Sequence, residues 1–169
     1  KVYELILKGN AACRQQIKES FFAYLSYDSV IFGEPPCQDK NYLEKKLQIG
    51  DNIFLKNMIR LERAAAGEIN NELIKDHIDC DKITGNLIVR TRREGDRTSP
   101  VKGVGSRSLK RLYIDRKVPA RLREELPVIA DADGIVWTAV SGADRRCAVT
   151  KESGCILKIE WIGGKEQNE

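Results

Sequence analysis

Histidine occurs once, at His77, and that scarcity removes any multi-histidine metal site and leaves Ser-His-Asp catalysis no route except through this one imidazole. His77 stands beside Ile78 in IKDHIDCDK, where a structural or solvent-facing role is expected. The five cysteines, Cys13, Cys37, Cys80, Cys147 and Cys155, are odd in number and never spaced C-x-x-C. This argues against a disulfide framework and a zinc site, and for a reducing, cytoplasmic location. No apolar run reaches the roughly 18 residues that a bilayer-crossing helix needs, so no membrane partner is expected. The acidic pairs Glu124-Glu125 and Asp131/Asp133 sit in helix-surface and turn contexts, and no G-x-x-x-x-G-K-[ST] loop exists. No catalytic constellation and no cofactor site emerge. The opening KVYELILKGN has neither an initiator Met nor a signal-peptide pattern, which is expected of a piece of a longer protein.

What the chain does have is a concentration of positive charge. The formal net charge is +4, but residues 90–121, RTRREGDRTSPVKGVGSRSLKRLYIDRKVPAR, hold eleven Lys or Arg against Glu94, Asp96 and Asp115, leaving the rest of the chain net negative. With so few acids in the segment, most of its cations lack a local counter-charge. A local excess of this kind attracts polyanions and speeds their encounter, which makes nucleic acid the first partner to consider over a merely solvated face.

The hydrophobic pattern predicts a β-rich α+β chain. Val2, Leu5 and Ile6 suggest the tail of a helix over residues 1–8. AACRQQI, FFAYLS and SVIF read as strands ending at Glu34-Pro35-Pro36, because two prolines cannot continue a ladder. YLEKKLQIG, NIFLKN and MIRLERAAA follow, with Gly50-Asp51-Asn52 as a turn and Ala64–Gly67 as a loop or helical turn. ELIKDHIDC is a strand or a short helix, and NLIVRT is a strand running into the basic segment. Ser106 or Ser108 caps a helix whose Leu109, Leu112 and Tyr113 face a core, so that Lys110, Arg111 and Arg116 point outward. Pro119 to Leu126 reads as a second short helix ended by Pro127. PVIADADGIVWTAV reads as a hairpin turning at Asp133-Gly134, CILKIEW as a last strand, and GGKEQNE as a disordered tail. The expected organisation is therefore residues 1–8 as a helix end, 9–84 as a β-rich subdomain, 85–162 as a basic domain and 163–169 as the tail, with a boundary near Asp76–Lys82.

Individual motifs are modest. The G-x-G of VKGVGSRS lacks the third glycine of a dinucleotide fingerprint but can offer backbone N–H groups to a phosphate. Arg90 and Arg92 share one face of a strand, and Arg93 begins the turn Glu94-Gly95-Asp96. Their guanidinium groups are spaced to grip successive phosphates, unless Asp96 or Asp115 holds one as a structural ion pair, the role favoured for Asp96. AVSGADRR shares Ser-Gly-x-Asp with the SGGxDS loop of ATP pyrophosphatases, but the 23 residues after Arg146 leave no room for the helix and strands such a site requires.

Taken in order, RTRREGDR, the G-x-G loop, SLKRLYIDRKVPARLREELPVIAD and DGIVW resemble the C-terminal domain of bacterial tRNA(Ile)-lysidine synthases over about Gly85 to Trp161. The resemblance implies a fold similar to a module of the phenylalanyl-tRNA synthetase β chain. It also implies a parent enzyme that uses ATP to adenylate the wobble cytidine of tRNA(Ile) before lysine displaces AMP. ATP and lysine would act only at an N-terminal domain that this sequence does not contain. The chain itself would be a non-catalytic tRNA-holding part, with tRNA(Ile) as partner. The contacts carried over by position are Arg90, Arg92, Arg93 and Arg97 from the first motif and Lys110, Arg111, Arg116 and Lys117 from the second. The alternative is a structural or homodimerisation module that turns its basic face to acidic protein. Where the family has Pro-Gly after the Trp-containing strand, this chain has Ala139-Val140.

Overall fold

The computed structural model describes Tyr3 and residues 14–19, 21–26, 29–33, 43–65, 73–120 and 122–163. The expected helix over 1–8 lies outside these residues apart from Tyr3, as do the double-proline loop, the second half of the Ala64–Gly67 turn and the tail beyond Gly163.

Three strands, β1 (Arg14–Lys18), β2 (Phe21–Ser26) and β3 (Ser29–Gly33), form an antiparallel sheet in which Ala23 pairs with both Gln15 and Phe32. The strand β3 stops immediately before Glu34-Pro35-Pro36. The later strands build two further sheets. One runs in the order β13-β12-β11-β8-β4, from β4 (Glu44–Lys46), β8 (Ile88–Arg90), β11 (Val128–Asp131), β12 (Gly134–Thr138) and β13 (Gly142–Ala143). The other runs β5-β6-β14-β7, from β5 (Gly50–Phe54), β6 (Asn57–Ala64), β7 (His77–Asp79) and β14 (Ile156–Ile162). A two-stranded ribbon, β9 (Arg97–Thr98) with β10 (Arg107–Ser108), leads into the helix α1 (Leu109–Asp115). Among the described residues the architecture is mostly antiparallel β with the short helix α1, the α+β class expected.

The five-stranded sheet is apolar on both faces because its strands alternate their side chains between two partners. Val89, Ile129, Val136 and Trp137 pack with Phe54, Ile59, Leu61, Leu157 and Ile159 of the four-stranded sheet. Val128 and Ile135 pack instead with Leu109, Leu112 and Tyr113 of α1. Burial of each such side chain stabilises the fold by about 1.5–3 kcal/mol relative to exposure.

These contacts correct the expected division at 84/85. The strand β4 pairs with β8, and β14 lies hydrogen-bonded between β6 and β7, so backbone ladders cross that point in both sheets and residues on either side share one core. The acidic stretch that suggested a boundary is buried structure: Asp79, only 2% exposed, accepts from Ser153 Oγ at 2.6 Å and pairs with Lys82 at 3.2 Å. Burial alone would raise the Asp79 carboxyl, but the bonds from Ser153, Lys82 and the Asp81 N–H hold it below its ordinary value. The ambiguous ELIKDHIDC is helix and strand in turn, a 3-10 turn at Leu73–Asp76 followed by β7, and His77 is buried.

Other expectations shift in register. The turn expected at Gly50-Asp51-Asn52 lies just ahead of it, between β4 and β5, where Gly50 already opens β5; β5 and β6 themselves turn at Leu55-Lys56, where Leu55 takes a φ of 53°. The cause is Asn52, whose buried amide accepts from the Gln48 N–H at 3.0 Å and donates to the Gln48 carbonyl at 2.8 Å, bracing the bend ahead of the strand. The second hairpin turns at Ala132-Asp133, with Gly134, at φ 136°, already paired to Asp131. The second helix contracts to a 3-10 turn at Leu122–Glu124, since the space between Pro119 and Pro127 is too short for a helix to sustain itself.

Candidate nucleic-acid interface

The basic segment divides into two structural settings. In the first, the end of β8 and the turn after it, Arg90 is only 5% exposed. Its Nη1 and Nη2 donate to Asp96 Oδ2 and Oδ1, both at 2.8 Å, in a fork-on-fork pair. Asp96 also accepts from the Arg93 N–H at 2.8 Å, and its carbonyl receives the Leu109 N–H at 2.8 Å, so one acidic residue ties the arginine turn to the start of α1. Arg90 is thus a structural cation and is withdrawn from the phosphate contacts, as the alternative reading of Asp96 foresaw. Arg92 donates from Nη2 to Glu124 Oε1 at 3.1 Å, and Arg93 from Nη2 to Glu44 Oε2 at 2.6 Å. Arg97 is exposed and reaches the hydroxyl and carbonyl of Ser106 at 3.2 and 3.1 Å, with no carboxylate partner among the described residues.

The second setting is α1 and its flanks. Ser108 is the N-cap, its Oγ accepting from the Arg111 N–H, and Leu109, Leu112 and Tyr113 are buried as the spacing predicts. Lys110, Arg111, Arg116 and Lys117 are all exposed and make no ion pair among the described residues. The helix ends in a Schellman arrangement: the Val118 N–H bonds the Tyr113 carbonyl at 2.9 Å and the Lys117 N–H bonds the Ile114 carbonyl at 2.9 Å. Lys117 takes the left-handed position at φ 54°, where glycine is the usual residue. A helix of seven residues is about 10 Å long, so these cations share one small stretch of surface. Two of the positive helix-end residues, Arg116 and Lys117, also lie where the helix dipole is negative and favours them.

The sequence reading passed over Arg107. It lies on β10 across from Thr98, is exposed, and makes no ion pair among the described residues, so it extends the cationic surface from α1 toward Arg97. The charge count contained it, but it was not among the contacts carried over by position. Glu44 and Glu124 were also missed as partners, since one lies 49 and the other 32 residues from its arginine.

Arg145 and Arg146, the basic pair after the Trp-containing strand, do structural work. Arg146 binds Asp131 through both guanidinium nitrogens, at 3.1 and 2.6 Å, and also donates to the carbonyls of Gly134 and Ile135. Burial would raise the Asp131 carboxyl, yet Arg146 and the N–H groups of Thr84 and Asp133 hold it below its ordinary value. The Arg145 side chain donates to the Gly103 carbonyl and its N–H to Ser99, fastening the glycine-containing loop. Three of the cysteines, Cys80, Cys147 and Cys155, are free thiols. Burial, together with a hydrogen bond to Cys155, pushes Cys80 up to about 12. A concavity of about 280 Å³ lined by Leu47, Leu61, Cys80, Leu87 and Leu157 includes none of the candidate cations.

What this arrangement can do is hold a row of phosphates: several strongly hydrated or planar cations, without an ion pair among the described residues, lie on and just beyond one short helix that is itself clamped to the sheet.

Residues 87–161 match the model of the TilS substrate C-terminal domain. Over 96% of its length the chain is 33% identical to the tRNA(Ile)-lysidine synthase of Clostridium tetani, and over 98% it is 32% identical to the bifunctional protein TilS/HprT of Listeria monocytogenes. It spans 36% of the first relative and 26% of the second. A solved structure described as the crystal structure of a TilS C-terminal domain superposes with a TM-score of 0.63 at 23% identity, covering 97% of that domain and 72% of this chain. That 72% is more than residues 87–161 can supply, which agrees with a core that draws strands from both halves. By this match residues 87–161 form a TilS substrate C-terminal domain, and along nearly its whole length the chain is similar to part of tRNA(Ile)-lysidine synthases.

Proposed function

We infer that this chain is the tRNA-holding C-terminal part of a tRNA(Ile)-lysidine synthase, a cytoplasmic ATP-dependent ligase that attaches lysine to the wobble cytidine of tRNA(Ile). The carrying observation is the group of exposed cations on and beside α1, namely Arg107, Lys110, Arg111, Arg116 and Lys117, which make no ion pair among the described residues. Arg92, Arg93 and Arg97 flank it. Contacts of this type fix an RNA by its phosphates and its shape and read little of its sequence. ATP and free lysine belong to the catalytic domain of such an enzyme, and the chain here contributes affinity and placement of the tRNA.

The test is binding of the chain to a tRNA(Ile) transcript at a series of salt concentrations. Affinity should fall steeply, with a log–log slope of about −0.7 to −0.9 for every phosphate neutralised. Replacing Lys110 and Arg111 by Glu should remove most of that binding while thermal unfolding stays in place. An affinity that does not respond to salt, or a double variant that binds as before, would refute the reading.

A further inference from the structure

Two of the arginines in this surface are already occupied, and their occupants are carboxylates. Glu124 is 52% exposed at its side chain and Glu44 is 53% exposed, so neither is confined by burial, and each nevertheless lies on a guanidinium: Glu124 on Arg92 and Glu44 on Arg93. A carboxylate and a phosphate present the same planar pair of acceptor oxygens to a guanidinium fork. The ground behind the first pair is unusual. Arg92 Nε and the Tyr113 hydroxyl are both buried donors without a hydrogen-bond partner among the described residues. Burial pushes the Tyr113 phenol upward, and Arg92, Asp96, Glu124 and Arg90 are the charges it feels, so it belongs to the same pocket of polar groups. Buried donors left unsatisfied are costly, and an arrangement that retains two of them next to an exposed carboxylate has more donor capacity than Glu124 fills.

We propose that Glu124 and Glu44 are place-holders which occupy the guanidinium seats of Arg92 and Arg93 until an RNA phosphate displaces them. This rests on the proposed function and assigns a selectivity role within it. A single nonspecific phosphate gains little by displacing a carboxylate that already pairs with the arginine. An RNA whose shape delivers phosphates to α1 and to both seats at once gains enough to open them. The place-holders therefore lower affinity for polyanions in general and leave the best-fitting RNA ahead.

The proposal separates from general electrostatics through a cycle of substitutions, measured by anisotropy of a labelled tRNA transcript with the 169-residue chain at fixed salt. Glu124→Gln should tighten binding roughly three- to fivefold, the scale of releasing an exposed ion pair. Glu94→Gln, which makes the same charge change at an exposed residue of the same segment, should change it less than about twofold. In an Arg92→Gln background the Glu124→Gln gain should vanish, because the seat is gone. Glu44→Gln with Arg93 should behave in the same way, and binding of a nonspecific single-stranded RNA should tighten more than binding of the tRNA. Equal gains from Glu94→Gln and Glu124→Gln, or a gain that persists without Arg92, would overturn the place-holder role while leaving RNA binding intact. Absence of RNA binding by every form would instead overturn the proposed function and this inference with it.

Discussion

The turn after β8 and the helix α1 carry the same residue types within thirty positions of one another and use them in opposite ways. In the turn, Arg90 is sealed against Asp96, with side-chain exposures of 6% and 10%, and Arg92 and Arg93 are each met by a glutamate. On the helix and its flanks, the cations are exposed and make no ion pair among the described residues. The difference follows from the backbone. A turn folds back on itself and brings N–H groups, carboxylates and guanidinium groups together, whereas a short amphipathic helix has one face committed to Val128 and Ile135 and leaves the other to solvent. Positive charge in a sequence is therefore two quantities, the part consumed in holding the fold and the part left over for a ligand.

That contrast predicts that substitutions in the two places should fail in different assays. The largest effect belongs to Asp96→Asn, which strips Arg90 of its partner and loosens the start of α1. It should cost about 3–5 kcal/mol of stability in chemical denaturation, the usual consequence of leaving a buried charge unpaired. A loss below about 1 kcal/mol would mean that the turn is no more structural than the helix. Next comes the double replacement Lys110→Glu with Arg111→Glu, expected to weaken tRNA binding by roughly a hundredfold and to lower the salt slope by about one unit per cation, with little change in melting temperature.

A smaller effect should appear on acidification. The folded-state carboxyls of Asp79 and Asp131 are held below their ordinary values, so the stability they supply is complete above the unfolded value of about 3.9 and is lost as pH falls through the lower folded values. Unfolding free energy should thus be level from about pH 5 to 7 and decline below about pH 4. Asp131→Asn should be less stable throughout and show a shallower decline; an acid limb of unchanged steepness in that variant would assign the effect elsewhere. The smallest effect is Lys117→Gly. Relieving the left-handed strain should raise stability by about 0.5–1 kcal/mol while slightly weakening RNA binding, so one residue would move the two assays in opposite directions.

Local chemistry was legible in the chain wherever a short-range rule governs. Ser108 as cap, Leu109, Leu112 and Tyr113 as the buried stripe, and β14 as an alternating strand all follow from spacing within a few residues. The turn before β5 and the hairpin turn between β11 and β12 each fall slightly earlier than expected because Asn52 and Asp131 spend their side chains on backbone groups, which composition does not reveal. The supposed boundary near residue 80 fails for a longer-range reason. Asp79 is buried with a bond to Ser153, 74 residues further on, and no local pattern announces such a bond. The division of the cations was half visible: Asp96 as a structural acid followed from its turn, but Glu44 and Glu124 come from segments whose proximity only the pairing of β4 with β8 and the packing of α1 create.

The position of β14 has a consequence for how the molecule is made. This strand fills the gap between β6 and β7, although it is translated after every other described strand of the fold. On the ribosome, β6 and β7 must therefore wait, edges uncovered, while some eighty further residues emerge. Pairings this distant close slowly and leave a sticky intermediate behind. A nascent polypeptide halted before residue 156 should consequently recruit chaperones far more than one released after residue 163.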